Sequence, residues 1–227
     1  MKGLLRNNFY SMGANLQLAF GISFVLVFIP LVSGEESIVS MVLAMQSFMF
    51  IANSGTALNT DVTSKWSNFE ITLPVTRGDI VKARYISFLI LILCGVFMSA
   101  FTSFLTVFVF KKLSADALIF GLSFGVSLSL LTSSFMYPIM LKIGTEKNEI
   151  IVFACAGIAT ALFMVVLRLA APFARQNSAI SAKSLVGIIF ALVSIGFFVI
   201  SYFVSLGIYK RKELPPYPIC RTEKQSV

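Results

Sequence analysis

Six long apolar runs make up most of this chain, and no Asp, Glu, Lys or Arg lies in the middle of any of them. A helix needs about 20 mainly apolar residues to cross a hydrocarbon core about 30 Å thick. The runs have roughly this length, so the pattern predicts six transmembrane helices. We place them at residues 16–32, 38–58, 85–110, 117–141, 150–167 and 184–209.

The composition indicates an all-α membrane protein. Only 12% of the 227 residues are charged, whereas soluble domains carry about 25%. The 23 phenylalanines are too many for the core of so short a soluble chain, but lipid accepts them. The third, fourth and sixth runs are longer than one straight crossing needs, so these helices are expected to tilt or to extend beyond the membrane.

The positive charges predict the orientation in the membrane. Lys and Arg flank the apolar runs, as topology signals do, so the net charge of +8 does not indicate a nucleic-acid partner. If the N-terminus is inside, thirteen of the 18 Lys and Arg lie on the inner side. Both termini are therefore predicted to be cytosolic. The five on the outer side are Lys111, Lys112, Arg168, Arg175 and Lys183.

The residue content argues against several kinds of chemistry. The chain has no His, and its three Cys form no CxxC pair, so neither His-based catalysis nor a zinc or redox site is indicated. Charges inside membrane helices mark proton relays and ion pathways, and their absence argues against a proton-coupled transporter. No GxxxxGK(S/T) motif is present to bind nucleotide phosphates. We therefore expect no catalytic residue, metal or cofactor here, and a transporter with this sequence must draw its energy from another protein.

The residues before the first run, 1–15, have a helical pattern of their own. Apolar side chains recur there at helical spacing, at Leu5, Phe9, Met12 and Leu16. This favours an amphipathic helix lying at the cytosolic interface, and a continuation of the first span fits the spacing equally well. The transmembrane domain is then 16–209. Residues 210–227, with three prolines and scattered charges, form a cytosolic tail that we expect to be extended or disordered.

The connection between the second and third runs, residues 59–84, predicts a short amphipathic helix. Thr60 or Asp61 can cap its start, and Pro74 ends it. Either a lipid surface or a cytosolic partner could receive its apolar face, and the residues alone do not decide between the two. This face consists of Val62, Trp66, Phe69 and Leu73, which are spaced by four, three and four residues.

A second helix start follows directly. Thr76 and Asp79 are three residues apart and have the spacing of a capping box. This pattern predicts a helix that begins at Arg77 and runs into the third span. The connection is thus expected to contain a short helix, a break and then a membrane helix.

The residues around this break resemble a family motif. Leu73-Pro74-Val75-Thr76-Arg77, followed by Ile80-Val81 and by Lys82 to Tyr85, is similar to the LPV-(S/T)-R…IV…KY pattern of ABC-2-type permeases. These are the membrane subunits of bacterial ABC exporters. The local match covers about a dozen residues, and the six-span layout with inward termini extends the resemblance over nearly the whole chain.

The resemblance implies a role for the short helix. In this family it is the coupling helix, which sits in a groove of a separate ATPase subunit, and residues 1–15 correspond to the interfacial helix. We expect Val62, Trp66 and Phe69 to fill the groove. The full set of expected coupling residues is Val62, Lys65, Trp66, Phe69, Glu70 and Leu73, of which Lys65 and Glu70 would pair with charges at its rim.

The resemblance also implies the assembly. It predicts two copies of an ABC ATPase, which bind ATP and Mg²⁺, and a second permease chain, identical or homologous. The expected location is a bacterial plasma membrane. Spans without charge suit an amphipathic or hydrophobic cargo. Peptides such as bacteriocins or phenol-soluble modulins are the expected class, and lipids and hydrophobic drugs remain open.

Uncharged polar and small residues within the spans are candidates for helix packing or for a cargo pathway. Gln46 and Asn53 lie on one face of the second span, and such side chains seek partners in hydrocarbon. Small residues favour close helix packing. They form GxxxG at Gly121 and Gly125 in the fourth span and a similar pair at Gly157 and Ala161 in the fifth. Pro138 leaves one carbonyl of the fourth span without its usual partner and is expected to kink the helix.

Two other functions fit parts of the pattern. A stand-alone immunity or sensor protein could bind a peptide without ATP, with the short helix resting on lipid. A channel is less well supported, because no span has a continuous polar face long enough to hold water across the membrane.

Overall fold

The computed structural model describes residues 2–64, 76–109, 114–144, 147–174 and 182–211. In these ranges all regular structure is helical, which confirms the predicted all-α class. The helices are α1 (Lys2–Ser11), α2 (Gly13–Leu26), α3 (Phe28–Ser33), α4 (Glu36–Thr63), α5 (Arg77–Val109), α6 (Ala115–Ile143), α7 (Asn148–Ala174) and α8 (Ala182–Arg211).

Six segments are long and apolar enough to cross a membrane, which confirms the predicted count. The helix α5 has 33 residues, or about 50 Å at 1.5 Å per residue, and therefore exceeds the hydrocarbon core as expected. The 28 residues of α4 also exceed it, which the sequence did not indicate. The spans are Gly13–Ser33, Glu36–Asp61, Gly78–Val109, Ala115–Ile143, Asn148–Leu169 and Val186–Arg211.

The first span is broken into α2 and α3 at Val27, a feature that our sequence analysis missed. Pro30 explains the break. A proline has no N–H, and its ring clashes with the carbonyl four residues earlier, here that of Leu26. The helix therefore ends at Leu26 and restarts at Phe28. Gly34 then ends α3 with a φ of 63°, a conformation that glycine adopts without strain.

The centre of the bundle is α4, which packs closely against α5 and α6. A methyl group placed on Gly121 of α6 would lie 2.8 Å from the Cα of Ser40, and one on Gly125 would lie 3.0 Å from the Cα of Ala44. Gly95 of α5 is equally close to Ser47, at 2.9 Å. The GxxxG motif is therefore a packing surface between backbones, as membrane helices commonly use.

The small pair in α7 behaves differently. Gly157 and Ala161 are both exposed, and no described atom lies within 4 Å of a methyl group placed on Gly157. The expected packing at this pair is therefore not made within the described chain. The helix instead buries its opposite face, which contains Val152, Cys155, Ala159 and Phe163.

Large apolar side chains cover the outside of the bundle. Phe97, Phe104 and Phe108 of α5 are each at least 70% exposed. A soluble monomer rarely exposes contiguous apolar patches larger than a few hundred Å². This surface is suited to lipid.

The N-terminal residues form a separate helix, α1, which ends at Ser11, and a turn at Met12 separates it from α2. Its most buried residues are Leu4 and Asn8, which lie on one face of the helix. Leu4 packs against Ile80 and Ala83 at the start of α5. The predicted face was that of Leu5 and Phe9, which are only half-buried, so the face that α1 buries lies one position earlier in the chain and rests on another helix.

Candidate functional site

We call the end of the bundle where α1 begins and α8 ends the inner end, after the predicted orientation, and the opposite end the outer end. The connection from α4 to α5 lies there, and it contains the predicted coupling helix. Residues 65–75 of this connection, including Lys65, Trp66, Phe69, Glu70, Leu73, Pro74 and Val75, lie outside the described part of the chain. Val62 lies in the last turn of α4 and Arg77 is the first residue of α5, but neither side chain is described. Their coupling role stays a prediction.

The start of α5 has the geometry predicted for it. The Thr76 hydroxyl donates to Asp79 Oδ2 at 2.6 Å, and the Asp79 N–H donates to Thr76 Oγ1 at 3.2 Å. The Thr76 N–H also donates to the same carboxylate, at 3.3 Å. This reciprocal arrangement satisfies N–H groups that the first turn of a helix leaves free. The predicted capping box and the helix start at Arg77 are therefore confirmed.

The predicted cap at Thr60 or Asp61 is wrong, because α4 continues through both residues to Thr63. The Thr60 hydroxyl donates to the carbonyl of Thr56, 2.9 Å away and one turn earlier in the same helix. Asp61 instead points into the bundle and forms an ion pair with Arg84 of α5. The Asp61 carboxylate, which we expected to cap a new helix, is thus held by a charged partner on the neighbouring helix.

This ion pair is the most buried charge arrangement that the structure describes. Asp61 is 4% exposed and Arg84 is 6% exposed. A charge that is removed from water must be paired and hydrogen-bonded, because its desolvation costs several kcal/mol. The pair joins the last turn of α4, before the undescribed residues 65–75, to the first turns of α5, which follow them.

The helix α1 adds a third element to this inner end. The Asn8 amide donates to the Ser87 hydroxyl of α5 at 3.0 Å, and both side chains are buried. Farther along, the Asn15 amide of α2 donates to the Thr56 hydroxyl of α4 at 3.1 Å. The helices α1 and α2 are therefore bonded to α5 and α4, the two helices that the ion pair joins.

Gln46 forms a second polar layer nearer the middle of the bundle. It is fully buried; its amide donates to the carbonyl of Ser23 at 3.1 Å, and its oxygen accepts from the Thr102 hydroxyl at 3.0 Å. These contacts join α2, α4 and α5, so packing explains Gln46. Asn53 is half-buried and donates to the carbonyl of Met49 in its own helix, at 2.9 Å.

Pro138 lies inside α6, and the carbonyl that it leaves open has a partner on another helix. A proline at 138 cannot donate to the carbonyl of residue 134. The Ser201 hydroxyl of α8 donates to the Ser134 carbonyl at 2.5 Å. Ser201 also contacts the hydroxyl of Tyr85, so the proline of α6 is connected to the start of α5.

Comparison with known proteins decides the family. Residues 3–210 match the family model described as ABC-2 family transporter protein. The chain belongs to the ABC-2 transporter family. No curated protein and no solved structure gave a match.

Membership of the ABC-2 family confirms the resemblance seen in the motif. The chain is a multi-pass membrane component of a transporter, and this component is not itself catalytic. Members of the family normally work in a lipid bilayer with an ABC ATPase.

The outer end of this ABC-2 protein contains an open cavity of about 870 Å³ between the starts of α4 and α6. Glu36 is hydrogen-bonded there, since its Oε1 accepts from the Ser114 N–H at 3.1 Å. The cavity therefore offers both carboxylates and apolar surface. Its lining includes Glu35, Glu36, Met41, Asp116, Phe120 and Phe124.

Sequence reasoning missed two groups of residues at the inner end, Asp61 with Arg84 and Tyr85 with Ser201. The first left a signal. Two opposite charges at the ends of consecutive apolar runs lie at similar depth when the helices are antiparallel. The second left none beyond the proline itself, because a serine in α8 cannot be assigned to a carbonyl of α6 without the fold.

Proposed function

We propose that this chain is the permease subunit of an ATP-driven exporter that works with two copies of an ABC ATPase and a second permease chain. The observation that carries the proposal is that both ends of the α4–α5 connection are held by side-chain contacts. The family motif begins in this connection and continues into α5. The buried Asp61–Arg84 pair lies on both sides of this connection, and the Thr76–Asp79 capping box ends it.

These held ends suit a segment that transmits force. A push on a loose loop is absorbed by the loop itself, whereas a push on a segment with anchored ends moves the helices that hold it. Here those helices are α4 and α5, which pack at the centre of the bundle. ATP and Mg²⁺ would bind in the partner, whose closure would move α4 and α5 through Val62, Trp66 and Phe69.

The cargo that we propose is an amphipathic peptide released at the outer end. The outer cavity supports this class, because exposed carboxylates at Glu35, Glu36 and Asp116 lie beside the half-buried rings of Phe120 and Phe124. Carboxylates attract positive groups and aromatic rings bind apolar side chains, so the combination favours a cationic amphipathic molecule.

The test is co-purification in detergent with the ATPase encoded nearest to the gene, scored by bound ATPase and by ATP turnover. We expect the ATPase to bind the wild-type chain. Trp66→Ala should weaken binding or alter turnover, because the partner groove loses its largest apolar contact. Phe108→Ala is the matched control, since it removes an exposed aromatic ring from the far end of α5 and should change neither.

Two results would count against the proposal, the first against the exporter itself and the second against the coupling helix alone. If the wild-type chain binds no ATPase, a stand-alone membrane protein that binds a peptide becomes the better hypothesis. If the ATPase binds but Trp66→Ala behaves as wild type, the exporter stands and the coupling-helix assignment is wrong.

A further inference from the structure

The carbonyl that Pro138 leaves open in α6 depends on a side chain from another helix. Ser134 and Ser201 are both nearly inaccessible, so the carbonyl freed by Pro138 lies in a dry interior. A backbone carbonyl without a partner is costly inside a membrane, where no water replaces the lost bond. The Ser201 hydroxyl, 2.5 Å away, supplies the hydrogen that the missing N–H cannot.

The hydrogen bonds around Ser201 have one consistent direction. A serine hydroxyl has a single hydrogen, and that of Ser201 goes to the Ser134 carbonyl. The Tyr85 hydroxyl, 2.8 Å from Ser201 Oγ, must therefore donate to it. Since the hydrogen of Tyr85 is then used, Ser205 donates to Tyr85 at 2.9 Å. The chain of donors runs from Ser205 through Tyr85 and Ser201 to the Ser134 carbonyl, and we call it the hydroxyl chain.

Tyr85 is held firmly in α5. Its ring makes edge-to-face contacts, with centroid distances of 5.1–5.7 Å, to the rings of Phe88, Tyr137, Phe198 and Tyr202. Such contacts fix the ring plane, so the position of the hydroxyl follows the backbone of α5. The preceding residue, Arg84, is paired with Asp61. A displacement of the inner end of α5 therefore moves the Tyr85 hydroxyl relative to Ser201.

Ser201 has an alternative acceptor. Buried serines elsewhere in α6 and α8 bond to their own helix: Ser129 donates to the Gly125 carbonyl at 2.9 Å and Ser194 to the Phe190 carbonyl at 2.7 Å. The corresponding acceptor for Ser201 is the carbonyl of Phe197. Ser201 can thus either serve the open carbonyl of α6 or turn back to α8, and contact with Tyr85 favours the first.

We propose that Tyr85 and Ser201 are positioning residues for transport, which hold the proline segment of α6 while the inner end of α5 is in its present position and release it when α5 moves. This inference rests on the proposed function, because the ATPase is what would move α5. The hydroxyl chain carries the movement from the coupling segment to α6 and α8.

The experiment compares Tyr85→Phe and Ser201→Ala, which delete only a hydroxyl, in the complex with its ATPase in lipid nanodiscs. Amide hydrogen exchange of residues 134–143 reports the opening of α6, and ATP turnover reports coupling. We expect exchange about three- to fifteenfold faster and turnover lower by a similar factor, as for side-chain hydrogen bonds between membrane helices. The ATPase should remain bound at the wild-type level.

Matched controls delete the same groups elsewhere. Tyr10→Phe removes the hydroxyl of a residue that is 87% exposed, and Ser194→Ala removes a buried hydroxyl of α8 that bonds within its own helix. Both should leave exchange and turnover unchanged. Pro138→Ala restores an N–H for the Ser134 carbonyl, so Ser201→Ala should have little further effect on exchange in that background.

Four results would overturn the proposal. Unchanged exchange in Ser201→Ala, or an equal effect of Ser201→Ala with and without Pro138, would show that the hydroxyl does not serve the proline segment. Faster exchange with unchanged turnover in Tyr85→Phe would show a purely structural role. A wild-type chain that binds no ATPase refutes the proposed function as well, and is recognised by that failure alone.

Discussion

The ion pair between Asp61 and Arg84 leads to a quantitative prediction. Arg84→Met removes the guanidinium group and keeps an unbranched apolar side chain about as long as the aliphatic part of arginine. The Asp61 carboxylate is then left among buried residues without its partner, since its side chain is only 6% exposed. We expect a large loss of stability from this single substitution.

The size of this loss follows from the burial of both partners. Removal of one member of a buried pair costs about 3–5 kcal/mol, because the remaining charge is uncompensated. In globular proteins of this length, 1 kcal/mol corresponds to about 2–4 °C in melting temperature. On that scaling, Arg84→Met should lower the melting temperature by about 6–20 °C.

The double variant Asp61→Leu with Arg84→Met separates charge from packing. Replacement of a buried ion pair by apolar residues of similar volume is often neutral or stabilising. The melting temperature of the double variant should therefore lie within about 3 °C of the wild-type value or above it. Together with the destabilised single variants, this result corresponds to a coupling energy of about 3 kcal/mol or more between the two sites.

The assay is thermal unfolding in detergent, followed by tryptophan fluorescence or by loss of the monodisperse peak. Arg6→Met is the control, since Arg6 is exposed on α1 and its charge removal should shift the melting temperature by less than about 2 °C. The reasoning fails if Arg84→Met is as mild as this control, or if the double variant is as unstable as the single.

Two further predictions concern packing and capping. Gly125→Leu should destabilise the bundle by at least about 1–3 kcal/mol, because the new side chain collides with the backbone of α4. Gly157→Leu, on the exposed face of α7, should be tolerated. The yield of monodisperse protein in detergent measures both effects. Thr76→Ala should lower the free energy of unfolding by about 1 kcal/mol, because the capping box is lost. Thr63→Ala, which removes an exposed hydroxyl in α4, should cost less. Equal melting temperatures for the two variants would contradict this role of Thr76.

The features that sequence analysis predicted correctly are local ones. A span shows itself as a run of apolar residues, because the bilayer sets its length. The start of α5 depends only on Thr76 and Asp79, which are three residues apart and bond to each other. The packing role of Gly121 and Gly125 was also expected, because small residues one turn apart leave a surface that another backbone can approach closely.

The features that could not be predicted depend on which helices are neighbours. Asp61 was assigned to a cap because its nearest residues in sequence suggested one, but its partner Arg84 lies 23 residues away. The open carbonyl beside Pro138 was foreseen, yet its donor Ser201 comes from another helix. Gly125 and Gly157 have similar local patterns, and only the fold shows that Gly125 faces α4 whereas Gly157 faces outward.

The placement of α1 has a consequence for the biosynthesis of the protein. Asn8 leaves the ribosome 79 residues before its partner Ser87, an interval of roughly 4–16 s at typical rates of synthesis. During this time the apolar face of α1 has no partner on α5, and the surface of the membrane is the nearest apolar phase that can receive it. The first helix to be made is thus unable to reach its final position until the third span has been inserted.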